Sequence, residues 1–304
     1  MPALHTRRRP AGPPGGTSVR RGGTALVLLL CGGAFALGGG EAAPAQAEAP
    51  LIVRVGEYVE RYYERAQSLL AQEEVSIQPL GRDLGFDGFA RRLVYELRLE
   101  WDPAEGEAQG ATVVRDLVSV NGRPPRAADE ARCTDPRSIS PEPLAPLLPA
   151  QRGRYIFHPA GGGSVGGRRA VTFDFRSIRA EPPRVTWKDD CASIDLPGRT
   201  RGRVWVDPET AAVLRFDEHL TGMVDIPVPP AQQRRGASSY MTVERADTSI
   251  QYGPVTFTDP DETLMLPSRI ESVVIVRNSG SPRLRITQSF SDYRRFVTES
   301  RLVR

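Results

Sequence analysis

From Leu93 to Trp101 every second residue is apolar or aromatic: Leu93, Tyr95, Leu97, Leu99 and Trp101 alternate with Val94, Glu96, Arg98 and Glu100. A period of two places such residues on one face of a half-buried strand, and no helix can bury them together. The same period returns in Thr112–Val120, in Val171, Phe173 and Phe175, in Val185 and Trp187, and in Gly202–Asp207 with its return Ala212–Leu220. It appears again in Tyr240–Glu244, Thr248–Tyr252, Ile270–Val276 and Leu284–Phe290. Asn121-Gly122, Pro208-Glu209-Thr210 and Asn278-Ser279-Gly280 supply turns between these runs. About ten strands follow in the manner of an antiparallel meander.

One segment has the other period. Ile52, Val55, Val59, Tyr62, Ala66 and Leu69 recur at steps of three and four, which predicts an amphipathic helix over residues 51–72. The class is therefore α+β, a large curved antiparallel sheet with one long N-terminal helix on its concave face. Residues 121–150, rich in Pro, Asp and Arg, read as an irregular loop. A helix of that length is about 33 Å long and roughly 10 Å wide. Ten strands span near 48 Å at about 4.8 Å each. The apolar face exceeds its cover, and the surplus must curl on itself, pack on loops or line a cavity for an apolar ligand. The aromatic candidates to line it are Tyr95, Trp101, Phe173, Phe175, Trp187 and Trp205.

The first 47 residues have a different character. Arg7-Arg8-Arg9 and Arg20-Arg21 precede an apolar run from Ala25 to Leu37, and Ala45-Gln46-Ala47 follows. Basic, apolar, then A-x-A is the order of a cleavable export signal, which predicts a cut after Ala47 and a single β-rich binding domain over 48–304. The run is 13 residues, short of the roughly 20 that a membrane-spanning helix needs. Residues 1–47 hold five Arg and one Glu. Without them the 40 basic and 37 acidic residues become 35 and 36, and the formal charge passes from +3 to −1. The remaining chain offers no general positive field for nucleic acid. Cys133 and Cys191, the two cysteines beyond the signal, predict a disulfide in a periplasmic or secreted protein.

Candidate chemistry is sparse. Residues 161–167 read as a flexible turn, and within it Gly162-Gly163-Ser164-Val165-Gly166 fits the spacing of a nucleophile elbow, which requires a strand, a sharp turn and a helix, whereas Arg169–Phe175 reads as a strand. His219 lies beside Asp217 and Glu218, with Asp217 and His219 on one face of their strand. Neither Asp259-Pro260-Asp261-Glu262 nor Asp189-Asp190 supplies the six to eight oxygens calcium takes. The sequence predicts no enzyme, no cofactor and no metal.

Gly202-Arg203-Val204-Trp205-Val206-Asp207-Pro208-Glu209-Thr210, followed by Val213-Leu214-Arg215-Phe216-Asp217, resembles the strand pair of the LolA-like lipoprotein-carrier superfamily. Leu266-Pro267-Ser268 before Ile270 adds to the likeness, which covers mainly residues 200–296. The whole chain also resembles uncharacterised exported bacterial proteins. The superfamily resemblance implies an open half-barrel plugged by helices and non-enzymatic carriage or sensing of acylated ligands. The first expectation is thus an exported binding protein for a lipid or acyl group, with a lipid or lipoprotein as partner. The second is a cell-envelope structural or protein-interaction module that contacts an envelope protein. A hydrolase using Ser164 or His219 comes third.

Overall fold

The alternating stretches pair, with few exceptions, into one open sheet. The structure, a computed structural model, describes residues 44–66, 69–101, 111–127, 129, 135, 144–188, 191–233, 238–258, 260–280 and 282–295, the side chains of 44–49, 99–101, 111–113 and 188 excepted. The expected signal segment and Cys133 fall largely or wholly outside these residues.

Helix α1 (Pro44–Arg65) leads into β1 (Leu69–Leu80), β2 (Arg91–Trp101) and β3 (Ala111–Val120). After the loop, a 3-10 turn at 145–147 and the short helix α2 (Pro149–Arg152) precede β4 (Tyr155–Val165) and β5 (Arg168–Ser177). A hairpin of β6 (Arg184–Lys188) and β7 (Cys191–Asp195) stands apart as its own two-stranded sheet. Then come β8 (Thr200–Val206), β9 (Val213–Leu220), β10 (Val224–Pro227), β11 (Tyr240–Thr258), β12 (Asp261–Arg277) and β13 (Arg283–Arg295). The main sheet runs β3-β2-β1-β13-β12-β11-β9-β8-β5-β4, with β10 added on β11. Its edges, β3 and β4, do not meet. The order departs from the expected meander where β8 follows β5 past the separate β6–β7 hairpin, where β9 pairs with β11 past β10, and where β1 lies against β13, so the first and last strands are neighbours. Pairings such as Val75↔Gln288 and Ile77↔Ile286 hold them there.

Residues directly paired across antiparallel strands share a face. One face is apolar. Val75, Leu93 and Gln288 mark it on β1, β2 and β13, Ile270 on β12, Ile250 on β11, Phe216 on β9, Val204 on β8 and Phe173 on β5. The other face is ionic. Arg203 pairs with Asp174 at 2.5 Å, Arg215 with Asp217 at 2.8 Å, and Arg269 with Glu271 at 2.6 Å. Such division is usual for an antiparallel sheet covered on one side.

The apolar face packs in three clusters. Helix α1 sets Leu51, Val55, Val59 and Tyr62 on its centre, joined by Ala66 just past the helix and by Leu144, Leu147 and Leu148 from the loop before α2. Val75, Ile77, Leu93, Tyr95, Val120 and Leu284 pack together at the β1–β3 end. The β6–β7 hairpin lays Val185, Trp187 and Ile194 on Val224, Ile226, Met241 and Val243. All described residues belong to one compact unit, Ala42–Arg304, and β8 pairs with β5 across Gly198.

Several expectations are corrected. The helix ends at Arg65, not at 72. The part whose side chains are described, from Pro50, is about 24 Å long at 1.5 Å per residue. Residues 69–72 instead open β1, where Leu69 and Ala71 are buried beside Leu97. The glycine run is strand as far as Val165, and the turn falls on Gly166 and Gly167, both at positive φ. Tyr240–Glu244 and Thr248–Tyr252 are parts of one 19-residue strand.

Candidate functional site

Beneath α1 the apolar face carries phenols. Tyr58, Tyr62 and Tyr63 descend from the helix, and Tyr252 and Tyr293 rise from β11 and β13. Tyr62 and Tyr63 meet edge to face, ring centroids 5.4 Å apart. The Tyr293 hydroxyl donates to the Pro267 carbonyl at 2.7 Å, and Pro267 is the register partner of Tyr252. Burial pushes the phenols of Tyr252 and Tyr293 well above their ordinary value, and nearby phenols add to it. The Tyr252 hydroxyl is buried with no hydrogen-bond partner.

Glu73 also acts on Tyr293 and leads from the phenols into a charged cluster. On β1 the residues facing inward are Leu69, Ala71, Glu73, Val75 and Ile77, so Glu73 occupies a core position. It is 0% exposed. Arg115 on β3 reaches it across β2, Nε to Oε2 at 2.6 Å and Nη2 to Oε1 at 3.4 Å. Gln288 on β13 donates from Nε2 to Oε1 at 2.6 Å. Tyr95 packs beside them, its phenol pushed up to about 12 by burial, with Asp135 and Glu73 adding to the effect. Arg91 extends the line to Asp135 at 3.0 Å.

The result is a buried polar seam across an apolar face. Among the described residues four of its atoms lack a hydrogen-bond partner: the Tyr252 hydroxyl, Arg91 Nε, Arg115 Nη1 and Gln288 Oε1. A buried polar group without a partner costs about 1–3 kcal/mol. Buried groups are otherwise nearly always satisfied, so each orphan asks for an explanation. The four lie on several strands, three of them are donors and one is an acceptor, and a hydrocarbon alone satisfies none of them.

The structure divides the aromatic candidates. Tyr95 lies in the seam. Phe173 and Phe175 are on the same face further along, where Phe175 stacks on Phe216 at 5.0 Å and fills the core under α1. Trp187 packs at the separate hairpin end. Trp205 is on the ionic face, because Val204 and Val206 take the inward positions. Its ring lies 4.8 Å from the Arg215 guanidinium and 5.9 Å from that of Arg203. Trp101 ends β2, and its side chain lies outside the described residues. Cys191 is disulfide-bonded.

Ser164 and His219 are not brought together. Ser164 is on β4 and His219 on β9, three strand spacings or about 14 Å apart across the sheet. Their register partners on β5, Arg169 and Arg176, are a further seven residues apart, about 23 Å of strand. Asp217 binds Arg215 and Ser249, while His219 Nδ1 faces Asp247 at 3.1 Å. Among the described residues no three acids, histidines or cysteines cluster to hold a metal. No helix among them is long and apolar enough to cross a membrane.

No sequence pattern singled out Glu73, Arg115, Gln288, Tyr252 or Tyr293. The available signal was a carboxylate at an inward position of β1, and it emerges only when residues 69–80 are read as strand.

No protein-family model matches the sequence, and neither does any curated protein. Several solved structures are similar to the chain over most of its length. A putative outer membrane lipoprotein-sorting protein domain from Vibrio parahaemolyticus is 11% identical, with 82% of this chain and 94% of that one covered and a TM-score of 0.33. A LolA superfamily protein from Nitrosomonas europaea is 12% identical over 80% and 94%, with a TM-score of 0.29. A DUF1329 family protein from Desulfovibrio piger is 15% identical over 84% and 95%, with a TM-score of 0.35.

Proposed function

We propose that the protein is an exported, non-enzymatic binding protein that holds an amphipathic ligand, an acyl chain with a polar head, between α1 and the sheet. The observation that carries this reading is the seam of unpartnered buried polar atoms within an apolar face. A hydrocarbon tail would lie among Val59, Ile270, Phe290 and Met265, and its head would take a hydrogen bond from Tyr252. Helix α1 would act as a cover that yields to the ligand. Its polar ties to the sheet side include Arg54, which donates to the carbonyls of Pro208 and Glu209, Tyr58, which hydrogen-bonds the Met265 backbone, and Arg295, which donates to the carbonyl of Arg65. Much of the remaining hold is apolar contact, which a lipid tail replaces in kind.

Tyr252→Phe separates a binding site from a merely imperfect core. With no ligand, the change deletes a buried hydroxyl that has no partner, and stability is expected to rise by about 1–2 kcal/mol. Titration with a fluorescent fatty acid is expected to show about tenfold weaker binding, equivalent to roughly 1.4 kcal/mol. A gain in stability with unchanged affinity removes Tyr252 from the site. No binding by either protein removes the reading.

A further inference from the structure

We propose that the tip of the β1–β2 hairpin, residues 81–90, is a docking element that inserts Phe86 and Phe89 into the surface of an anionic lipid layer. This goes beyond ligand holding and does not depend on it. Phe86 is 72% exposed and Phe89 99% exposed. Two large rings standing in water on one short tip are not scattered surface apolar residues of the ordinary kind.

The tip holds them there by its own construction. The Gly81 amide donates to the Gly85 carbonyl at 2.9 Å, and the Asp87 amide to the Pro79 carbonyl at 3.0 Å. Asp83 Oδ1 accepts the Gly85 amide at 3.1 Å, and Leu84 takes a positive φ of 63° to close the turn. Gln78 Nε2 donates to the Gly88 carbonyl at 3.1 Å, which fixes the backbone just before Phe89. The rings are therefore presented by a hydrogen-bonded turn.

The charges around the tip fit a phosphate-bearing surface. Arg82 and Arg92 are exposed on the hairpin, and Arg283 and Arg285 flank it from β13. The Arg285 guanidinium lies 5.6 Å from the Phe86 ring centroid. Asp83 and Asp87 are the opposing acids, and Asp83 is engaged in the turn. Basic side chains around apolar rings are the composition of elements that lie in the membrane interface, where each basic residue near an anionic surface adds attraction. A protein partner fits less well. Two phenylalanines offer about 400 Å², roughly half of the 800 Å² that a stable interface buries on each partner.

The test is co-sedimentation of the full chain with vesicles of phosphatidylcholine alone and of phosphatidylcholine mixed with phosphatidylglycerol. Wild type is expected to bind the anionic vesicles preferentially. The Phe86→Ser/Phe89→Ser double variant is expected to bind at least tenfold less, and both positions are exposed, so its fold is retained. Arg82→Gln/Arg92→Gln is expected to lose the preference for anionic lipid. In Phe89→Trp the indole emission is expected to shift to the blue on vesicle addition. Equal sedimentation of wild type and the double Ser variant overturns the proposal, as does no binding at all. A self-association of wild type that the Ser changes abolish, without vesicle binding, also overturns it and makes the tip a contact between copies.

Discussion

Arg115→Ala is expected to lower the free energy of unfolding by about 3–5 kcal/mol, the usual cost of leaving one member of a buried ion pair alone. Glu73 is fully enclosed, and the Arg115 side chain is 8% exposed, so water cannot take the place of the lost guanidinium. Gln288 remains as a donor to Oε1 but carries no charge, and Oε2 loses its 2.6 Å partner. The same pair replaced as a whole gives a different outcome. Glu73→Leu with Arg115→Met removes both charges together, and the double variant is expected to unfold near the wild-type midpoint or above it. Urea denaturation of the three proteins, with the denaturant slope unchanged, measures both effects. If the single change costs no more than a surface substitution, the pair is not buried as described. The comparison also bears on why the pair exists. A charge pair that the fold does better without is retained for something other than stability, and ligand recognition is the role the unpartnered Nη1 supports.

Gly202→Ala is the second large effect, and it comes from sterics alone. A Cβ at this position of β8 lies 1.9 Å from the Asp217 carbonyl oxygen and 2.7 Å from the Phe175 ring. The oxygen belongs to the backbone of β9, held in the β8–β9 ladder, and the ring is held by its stack on Phe216. Neither is the free end of a flexible side chain. Relief would require parting the two strands in the centre of the sheet, at a cost expected to exceed the ~3 kcal/mol of ordinary overpacking. The expected result is loss of the cooperative thermal transition in circular dichroism. Gly163→Ala on edge strand β4 is the control. There the added methyl finds atoms no nearer than 3.5 Å, and the melting curve is expected to stay where it was.

Strands were legible in the sequence wherever each face had its own chemistry. Leu93 to Leu97 and Phe173 with Phe175 show their buried parity openly, because a one-residue slip would put the whole set in water. Elsewhere the residue types mislead for specific reasons. Leu69 satisfies both a helical step from Ala66 and a strand step to Ala71, so the end of α1 was ambiguous from residue types. Gly161 to Gly163 carry no side chains, so they show no parity and read as a turn. In β11 the register shifts between Val243 and Arg245. That bulge interrupts the alternation, and one strand reads as two. Trp205 was assigned to the wrong face because Val204, Trp205 and Val206 are apolar without a break. The charged seam was hidden for a different reason. Glu73 finds Arg115 at a separation of 42 residues and Gln288 at 215. A buried carboxylate is told from a surface one only by such partners, and they come together only when β1 lies between β2 and β13.

An amphipathic molecule is expected to bind between α1 and the sheet. The most direct measurement is native mass spectrometry of the full chain purified without detergent from cells that export it, followed by organic extraction and lipid analysis. One acyl-containing molecule per chain is predicted, with occupancy reduced in Tyr252→Phe. Chains that carry no adduct, and stay bare after incubation with a total lipid extract, would contradict it.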